Sequence, residues 1–156
     1  MKSYSKKILN SLNRDIFKII SDASDYLKID TYVVGGFVRD LIINKSVKKD
    51  IDIMCVGSGI DLAKAVQEKI NPKAKVSIFK RYGTAMLTFN DYQVEFVGSR
   101  KESYSNDSRN PSVEAGNFMD DMLRRDFTIN TLAIRLNKNK FGELVDTFGG
   151  LQDLEK

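Results

Sequence analysis

The chain lacks several residue types on which enzymes commonly depend. Its 156 residues contain no histidine, which excludes histidine acid–base catalysis, Ser–His triads and histidine metal sites. A single cysteine, Cys55, excludes an internal disulfide and a cysteine-rich zinc site. Because Cys55 lies in an apolar segment, we expect a buried small side chain and not a nucleophile. Any catalysis must therefore use carboxylates, lysine, tyrosine or hard metal ions held by oxygen.

Long apolar runs are absent as well. No stretch approaches the roughly 20 residues needed to span a bilayer, and the basic start, MKSYSKKILNSLNRDIF, lacks the continuous apolar core of a signal peptide. We therefore expect a cytoplasmic protein with no membrane partner. The length suits one compact domain. A net charge of +4 mildly favours a polyanionic partner such as a nucleotide or RNA, and an inert basic surface explains it equally well.

The predicted elements alternate between helix and strand. Apolar spacing predicts an amphipathic helix over residues 6–28 and further helices in FVRDLIIN, IDLAKAVQEKI and MDDMLRRDFTIN. Predicted strands are TYVVGG, DIDIMCV, KVSIF, TAMLTF, YQVEFVG, LAIRL and ELVDTF, with a hairpin turn at FNDY. The fold class is α/β (α+β), a small and largely antiparallel sheet flanked by helices. We expect the polar segment 99–117 to be a loop that is mobile without RNA.

Three acids form the first candidate site. Asp50 and Asp52 are two apart on a predicted strand, so both side chains point to one face. Glu95 in YQVEFVG joins them on that face if its strand lies beside theirs. Such a platform suits Mg²⁺, which prefers oxygen ligands, and two carboxylates can bridge a pair of divalent ions. For each pattern alone, a solvated strand end or the polar face of an edge strand is the competing interpretation.

A double glycine forms the second candidate site. VGG joins a strand to a helix, without the G-x-G-x-x-G or G-K-[ST] spacing of the common phosphate loops. Gly35 and Gly36 let a ligand approach the backbone, and the N–H groups of a helix start favour anionic phosphate. Arg39, one turn later, could reach the same phosphate. The alternative is a tight turn needing positive φ, with Arg39 paired to a surface acid.

Four segments together carry a resemblance to a known family. GGFVRDLIINKSVKKDIDI, VEFVGSRKESY, RRDFTINTLAI and GELVDTFGGLQDLEK occur in this order, from about Tyr32 to the last residue. They resemble the head domain of class II tRNA nucleotidyltransferases and of bacterial poly(A) polymerases, members of the polymerase-β-like nucleotidyltransferase superfamily. The combination of GG-x-VRD, D-x-D and RRDFTIN is highly specific, whereas each motif alone is weak.

The resemblance implies roles for the acids. Asp50 and Asp52 would hold the catalytic Mg²⁺ ions, with Glu95 as the third acid, either a ligand or an orienter of the attacking hydroxyl. The implied reaction is attack of a tRNA 3′-hydroxyl on the α-phosphate of ATP or CTP, with release of pyrophosphate. This chemistry requires no histidine.

The resemblance also implies how the nucleotide is held. Gly35 and Gly36 would cradle the triphosphate, Arg39 would neutralise its charge, and Arg125 would contact the incoming nucleotide near its ribose. Three further residues of RRDFTIN would support that site: Arg124, Asp126 and Asn130.

Domain boundaries and specificity follow from the same comparison of motifs. We expect the head domain over residues 1–146 and a hinge, or the start of a helical neck, over 147–156. The base-selecting EDxxR motif is not found, so base choice and most of the RNA grip are expected beyond Lys156, and the isolated fragment is expected to be weak or inactive.

Three alternatives to CCA addition stay open. A bacterial poly(A) polymerase is disfavoured because FKRYGTAML lacks the GRRF-type basic run associated with that group. A partial enzyme that adds CC or A alone fits the same motifs. The alternative from another class is a non-catalytic nucleotide-binding module that keeps the fold.

Overall fold

The computed structural model describes residues 2–43, 49–70, 74–98, 100–104, 111–115 and 132–146. The helices are α1 (Lys2–Ser11), α2 (Asp15–Leu27), α3 (Gly36–Ile42) and α4 (Gly59–Ile70), with 3₁₀ turns at Lys80–Tyr82 and Lys138–Lys140. The strands are β1 (Thr31–Val34), β2 (Asp50–Cys55), β3 (Lys75–Phe79), β4 (Thr84–Phe89), β5 (Tyr92–Gly98), β6 (Arg100–Tyr104), β7 (Pro111–Ala115), β8 (Ala133–Arg135) and β9 (Leu144–Val145).

Seven strands form one sheet in the order β3-β4-β5-β2-β1-β8-β9. Among these seven strands, β2 and β5 pair in parallel. All other neighbouring strands of this sheet pair antiparallel. The predicted fold class, with a largely antiparallel sheet, is therefore confirmed. The hairpin turn predicted at FNDY is present too, because Asn90 takes a φ of 53° between the antiparallel strands β4 and β5.

The N-terminal helix predicted over residues 6–28 is two helices. The segment NSLN (residues 10–13) is rich in side chains that compete for backbone hydrogen bonds, and Arg14 is extended at φ −138° and ψ 148°. Leu12 and Ile16, on either side of the break, are both buried in the same core. The apolar spacing continues across the break, which is why the pattern predicted one helix.

The prediction of a loop over residues 99–117 is wrong for residues 100–104 and 111–115, which form two strands. Strands β6 and β7 pair antiparallel, with Glu102 opposite Val113 and Ser103 opposite Ser112. Backbone groups pair whatever the polarity of the side chains, so a polar composition does not prevent a ladder. Residues 99, 105–110 and 116–117 lie outside the described residues, as do the predicted helix MDDMLRRDFTIN and the segment LQDLEK.

The core lies between the sheet and the helices α2 and α4. Alternate residues of the two central strands enter it, namely Ile51, Ile53, Val94 and Phe96, each at most 1% exposed. Cys55 is buried among them, and burial raises the pKa of its thiol to about 12. The prediction of an inert buried cysteine is confirmed, because a protonated thiol is a poor nucleophile. None of the described helices is long and apolar enough to cross a membrane.

Candidate functional site

The three predicted acids lie on one face of two neighbouring strands. Asp52 lies opposite Val34, the last residue of β1, and in register with Glu95 on the parallel strand β5. Residues in register point to the same face of a sheet, so the Asp52 and Glu95 side chains are neighbours. Asp50 precedes Asp52 by two residues and is in register with Gln93. This face is opposite the helix-covered core, and both aspartates are exposed on it.

The glycine turn packs against one of these carboxylates. Gly35 has φ 76° and ψ −147°, a backbone conformation open almost solely to glycine. A Cβ built on Gly35 would lie 2.9 Å from Oδ2 of Asp52. The turn therefore needs glycine twice over, once for its backbone angles and once for the close approach of the carboxylate.

The start of α3 follows this turn directly. The Gly35 carbonyl accepts hydrogen bonds from the N–H groups of Val38 and Arg39, each at 3.1 Å. The N–H groups of Gly36 and Phe37 precede the intrahelical ladder, and no described side chain caps the helix. The backbone N–H groups of Gly36 and Phe37 therefore follow directly after Gly35, the glycine that lies against Asp52.

The Arg39 side chain lies close to the glycine turn and forms an ion pair with a buried acid. Its Nε lies 3.2 Å from Oδ1 of Asp40, whose side chain is 4% exposed against 37% for Arg39. A Cβ on Gly36 would lie 3.5 Å from the Arg39 terminal nitrogen Nη2. The partner is therefore the buried Asp40 and not a surface acid, which corrects the alternative interpretation of Arg39.

Asp40 is a residue that the sequence reasoning missed. The signal was present in the pattern, because Asp40 lies three residues after the buried Phe37 and next to the buried Leu41 on the inner face of α3. A carboxylate placed among core residues needs a charged partner. Asp40 has that partner in Arg39, and it thereby fixes the direction of the guanidinium.

The three acids of the site provide oxygen donors alone. Asp50, Asp52 and Glu95 offer carboxylate oxygens alone, which is the chemistry that Mg²⁺ prefers. Within the described residues, no three acidic, cysteine or histidine side chains converge closely enough to hold one metal ion. The three acids share a face without meeting at a point, and Asp52 with Glu95 is the adjacent pair. Their chemistry fits a hard divalent cation.

The residues predicted from RRDFTIN lie outside the described residues, so their placement stays a prediction. They are Arg124, Arg125, Asp126 and Asn130. The chain that follows them is described from Leu132, and it enters the sheet at Ala133, which pairs with Val34. Val34 is the residue before the glycine turn. The described strand after RRDFTIN therefore lies next to the candidate site.

The fold and the arrangement of motifs were compared with known proteins. A sequence model of the family described as "Poly A polymerase head domain" matches residues 31–156. The chain belongs to this family. The resemblance predicted from the four motifs is confirmed, and the match includes both the glycine turn and the three acids.

Individual relatives of this head domain are longer proteins. The chain is 39% identical over 144 residues to an A-adding tRNA nucleotidyltransferase of Geobacter sulfurreducens, covering 92% of this chain and 16% of that protein. A solved CCA-adding enzyme in an apo form matches with a TM-score of 0.83 and 32% identity over 97% of this chain and 36% of that one.

A second solved structure is a complex. It is a tRNA nucleotidyltransferase complexed with a primer tRNA and an incoming ATP analogue, and it matches with a TM-score of 0.74 and 33% identity. The match covers 87% of this chain and 36% of that one. The head domain described here thus corresponds to about a third of the solved chains.

Proposed function

We propose that this head domain transfers nucleotides from CTP and ATP to the 3′-hydroxyl of tRNA, with CCA addition as the overall reaction. The observation that carries the proposal is the register of Asp52 with Glu95, beside a glycine turn that contacts the Asp52 carboxylate. The similar proteins named above supply the reaction class, since they are named for adding A or CCA and for acting on tRNA.

The triphosphate would bind at the glycine turn. The N–H groups of Gly36 and Phe37 would donate to phosphate oxygens, because Gly35 lets the ligand approach the backbone closely. Arg39 would neutralise phosphate charge with its terminal nitrogens. The Nε bond to Asp40 fixes the guanidinium without occupying those nitrogens. A guanidinium held in this way loses less conformational entropy on binding than a free arginine.

Asp50, Asp52 and Glu95 would hold Mg²⁺ at the α-phosphate. Bound Mg²⁺ lowers the pKa of the attacking hydroxyl and stabilises the attacking and leaving oxygens. Asp52 and Glu95 offer carboxylate oxygens from neighbouring positions on one face, and such oxygens are the ligands that Mg²⁺ prefers, which supports a cation between them and the phosphates. Glu95 would serve as a ligand or as the orienter of the 3′-hydroxyl, and pyrophosphate would leave toward the glycine turn.

The nucleotide itself would be contacted from the RRDFTIN segment. Arg125 would lie near the ribose, with Arg124, Asp126 and Asn130 as support. The pairing of Ala133 with Val34 supports this assignment, because the chain after the segment runs beside the glycine turn. We further propose that residues 1–146 are the head domain and 147–156 a hinge toward regions that select the base and grip the tRNA.

The proposal is tested by nucleotide incorporation into three tRNA transcripts by the full-length protein, because the isolated head domain is expected to be weak or inactive. They end at the discriminator base, after the first C and after CC, and each is incubated with Mg²⁺ and α-labelled CTP or ATP. We expect CTP to extend the first two transcripts and ATP to extend the third by one residue. The products are resolved on a sequencing gel.

Other patterns of labelling would identify the alternatives. Extension of the CC transcript alone, by ATP, is the second candidate, favoured by the name of the Geobacter sulfurreducens relative. A ladder of many added A residues would indicate a poly(A) polymerase. No incorporation into any transcript by a protein that binds ATP would contradict the proposal and indicate a non-catalytic module.

A further inference from the structure

The face that carries the acids continues to the edge of the sheet. Glu95 pairs with Met86 on β4, and Met86 pairs with Ser77 on β3. Since side chains alternate along a strand, Lys75, Ser77 and Phe79 of β3 point to the same face as the acids. The sheet thus presents one continuous surface from the acids to its outermost strand on that side.

This part of the face is open to solvent. Phe79 is 49% exposed, and Lys75, Ser77, Thr88 and Gln93 are exposed as well. On the opposite face of β3, Val76 packs against the core under α4, whereas Ile78, nearer the end of the strand, is 38% exposed. The side that leads to the acids is therefore the more exposed of the two faces of β3.

The edge strand and its continuation are basic. Lys75, Lys80 and Arg81 are exposed, and residues 72–90 contain three lysines, one arginine and no acidic residue. The charge of this segment, +4, equals the net charge of the whole chain, so the remaining residues sum to zero. β3 and the residues that flank it in the sequence therefore carry an excess of positive charge.

Protection of the sheet edge explains only part of this composition. Lysines on an edge strand prevent pairing with another copy of the chain, which accounts for the basic charges. It does not account for a half-exposed phenylalanine beside them. An aromatic ring for base stacking, flanked by basic residues that follow the phosphates, is the combination by which proteins bind single-stranded nucleic acid.

We infer that the surface formed by Lys75, Ser77 and Phe79, here called the β3 surface, binds the single-stranded 3′ segment of the RNA acceptor. Phe79 stacks on a base, and Lys75 contacts a phosphate. The inference rests on the proposed function, because it takes the acids as the place where the 3′-hydroxyl reacts.

The dimensions of the sheet fit such a segment. Three strand spacings separate β2 from β3, which is about 14 Å at about 4.8 Å per spacing. A stacked strand rises about 3.4 Å per nucleotide, so the span accommodates about four nucleotides. A single-stranded 3′ end of this length reaches from the β3 surface to the acids.

The test is RNA binding by the Phe79→Ala variant. A short fluorescein-labelled oligoribonucleotide ending in CC is titrated with the chain, and the dissociation constant is obtained from anisotropy. We expect Phe79→Ala to bind about 5- to 150-fold more weakly, the range for loss of one base–aromatic stack. The matched control is Tyr26→Ala, which removes an aromatic ring that is 80% exposed on α2, on the other side of the sheet, and it should bind as the unmodified chain does.

A salt titration tests the basic residues separately. Lys75→Gln should lower the slope of log K against log salt concentration by about 0.7, the value for one phosphate contact on a single strand. The control Lys64→Gln, an exposed lysine on α4, should leave the slope unchanged. Equal slopes for both variants would overturn the assignment of Lys75 to a phosphate.

ATP binding by the same proteins separates this inference from the proposed function. If the unmodified chain binds ATP, but Phe79→Ala and Tyr26→Ala bind RNA equally, the β3 surface is wrong and the proposed function stands. If the unmodified chain binds neither ATP nor RNA, both are wrong. A concentration-dependent dimer that Phe79→Ala abolishes would also overturn the inference, because the occupant would then be a second copy of the chain.

Discussion

Replacement of Asp52 by asparagine is expected to lower nucleotide incorporation about 10³-fold while leaving the fold intact. Asp52 lies between Val34 and Glu95 in the sheet. Its carboxylate is therefore next to the third acid, and it also packs against the glycine turn proposed to bind the triphosphate. The change removes one negative metal ligand, and charge stabilisation by a bound metal contributes several kcal/mol to such transition states. Single-turnover incorporation of label into tRNA measures the loss.

An exposed aspartate far from the glycine turn provides the control variant for this prediction. Asp91→Asn changes an exposed carboxylate on the β4–β5 turn, where the hydrogen bond from Lys49 lowers the pKa of Asp91, and its activity should match the unmodified protein. Thermal unfolding of Asp52→Asn and of Asp91→Asn checks that both variants are folded. Activity of Asp52→Asn within about twofold of the Asp91→Asn control would show that Asp52 holds no metal.

Replacement of Gly35 by alanine is expected to damage both stability and activity. The backbone angles of Gly35 cost about 1–3 kcal/mol for a residue with a Cβ, and this Cβ would lie 2.9 Å from the Asp52 carboxylate. At about 2–4 °C per kcal/mol for a chain of this size, the melting temperature should fall by several degrees. Nucleotide incorporation should fall by more than the loss of folded protein explains, because the Asp52 side chain must move to make room for the methyl group of alanine.

The neighbouring glycine supplies the matched control for stability. Gly36 has no positive φ, lies in the first turn of α3, and its added Cβ would be 3.5 Å from Arg39, an ordinary contact. Gly36→Ala should therefore melt at or above the temperature of the unmodified protein, because alanine is favoured over glycine in helices. Equal melting temperatures for both alanine variants would contradict the strained turn at Gly35.

The alternation of residues predicted which side chains share a face, and the structure agrees. Asp50 and Asp52 point away from the core because Ile51 and Ile53 point into it. Local alternation does not reveal which strands are neighbours. The pairing of β2 with β5 is parallel and spans α4, β3 and β4, so it depends on tertiary packing that no short pattern records. The resemblance to the family placed Glu95 with the aspartates before the register was known.

The differences between prediction and structure have local physical causes. The apolar spacing through Leu12 and Ile16 predicted one helix because it continues across the break at NSLN. The β6–β7 pair was missed because its side chains are mostly polar, and its ladder depends on backbone groups. Asp40 was missed, although its position relative to Phe37 places it on the buried side of α3.

The central claim is that Asp50, Asp52 and Glu95, which share one face of β2 and β5, all contribute to binding the divalent cations that accompany the nucleotide. Its most direct test is the binding of Mn²⁺, which shares the preference of Mg²⁺ for carboxylate oxygen, measured by electron paramagnetic resonance in the presence of ATP. We predict that Asp50→Asn, Asp52→Asn and Glu95→Gln each weaken Mn²⁺ binding at least about tenfold, the effect of about 1.4 kcal/mol, whereas Asp91→Asn binds as the unmodified chain does. Equal Mn²⁺ affinity in all four variants would contradict the claim.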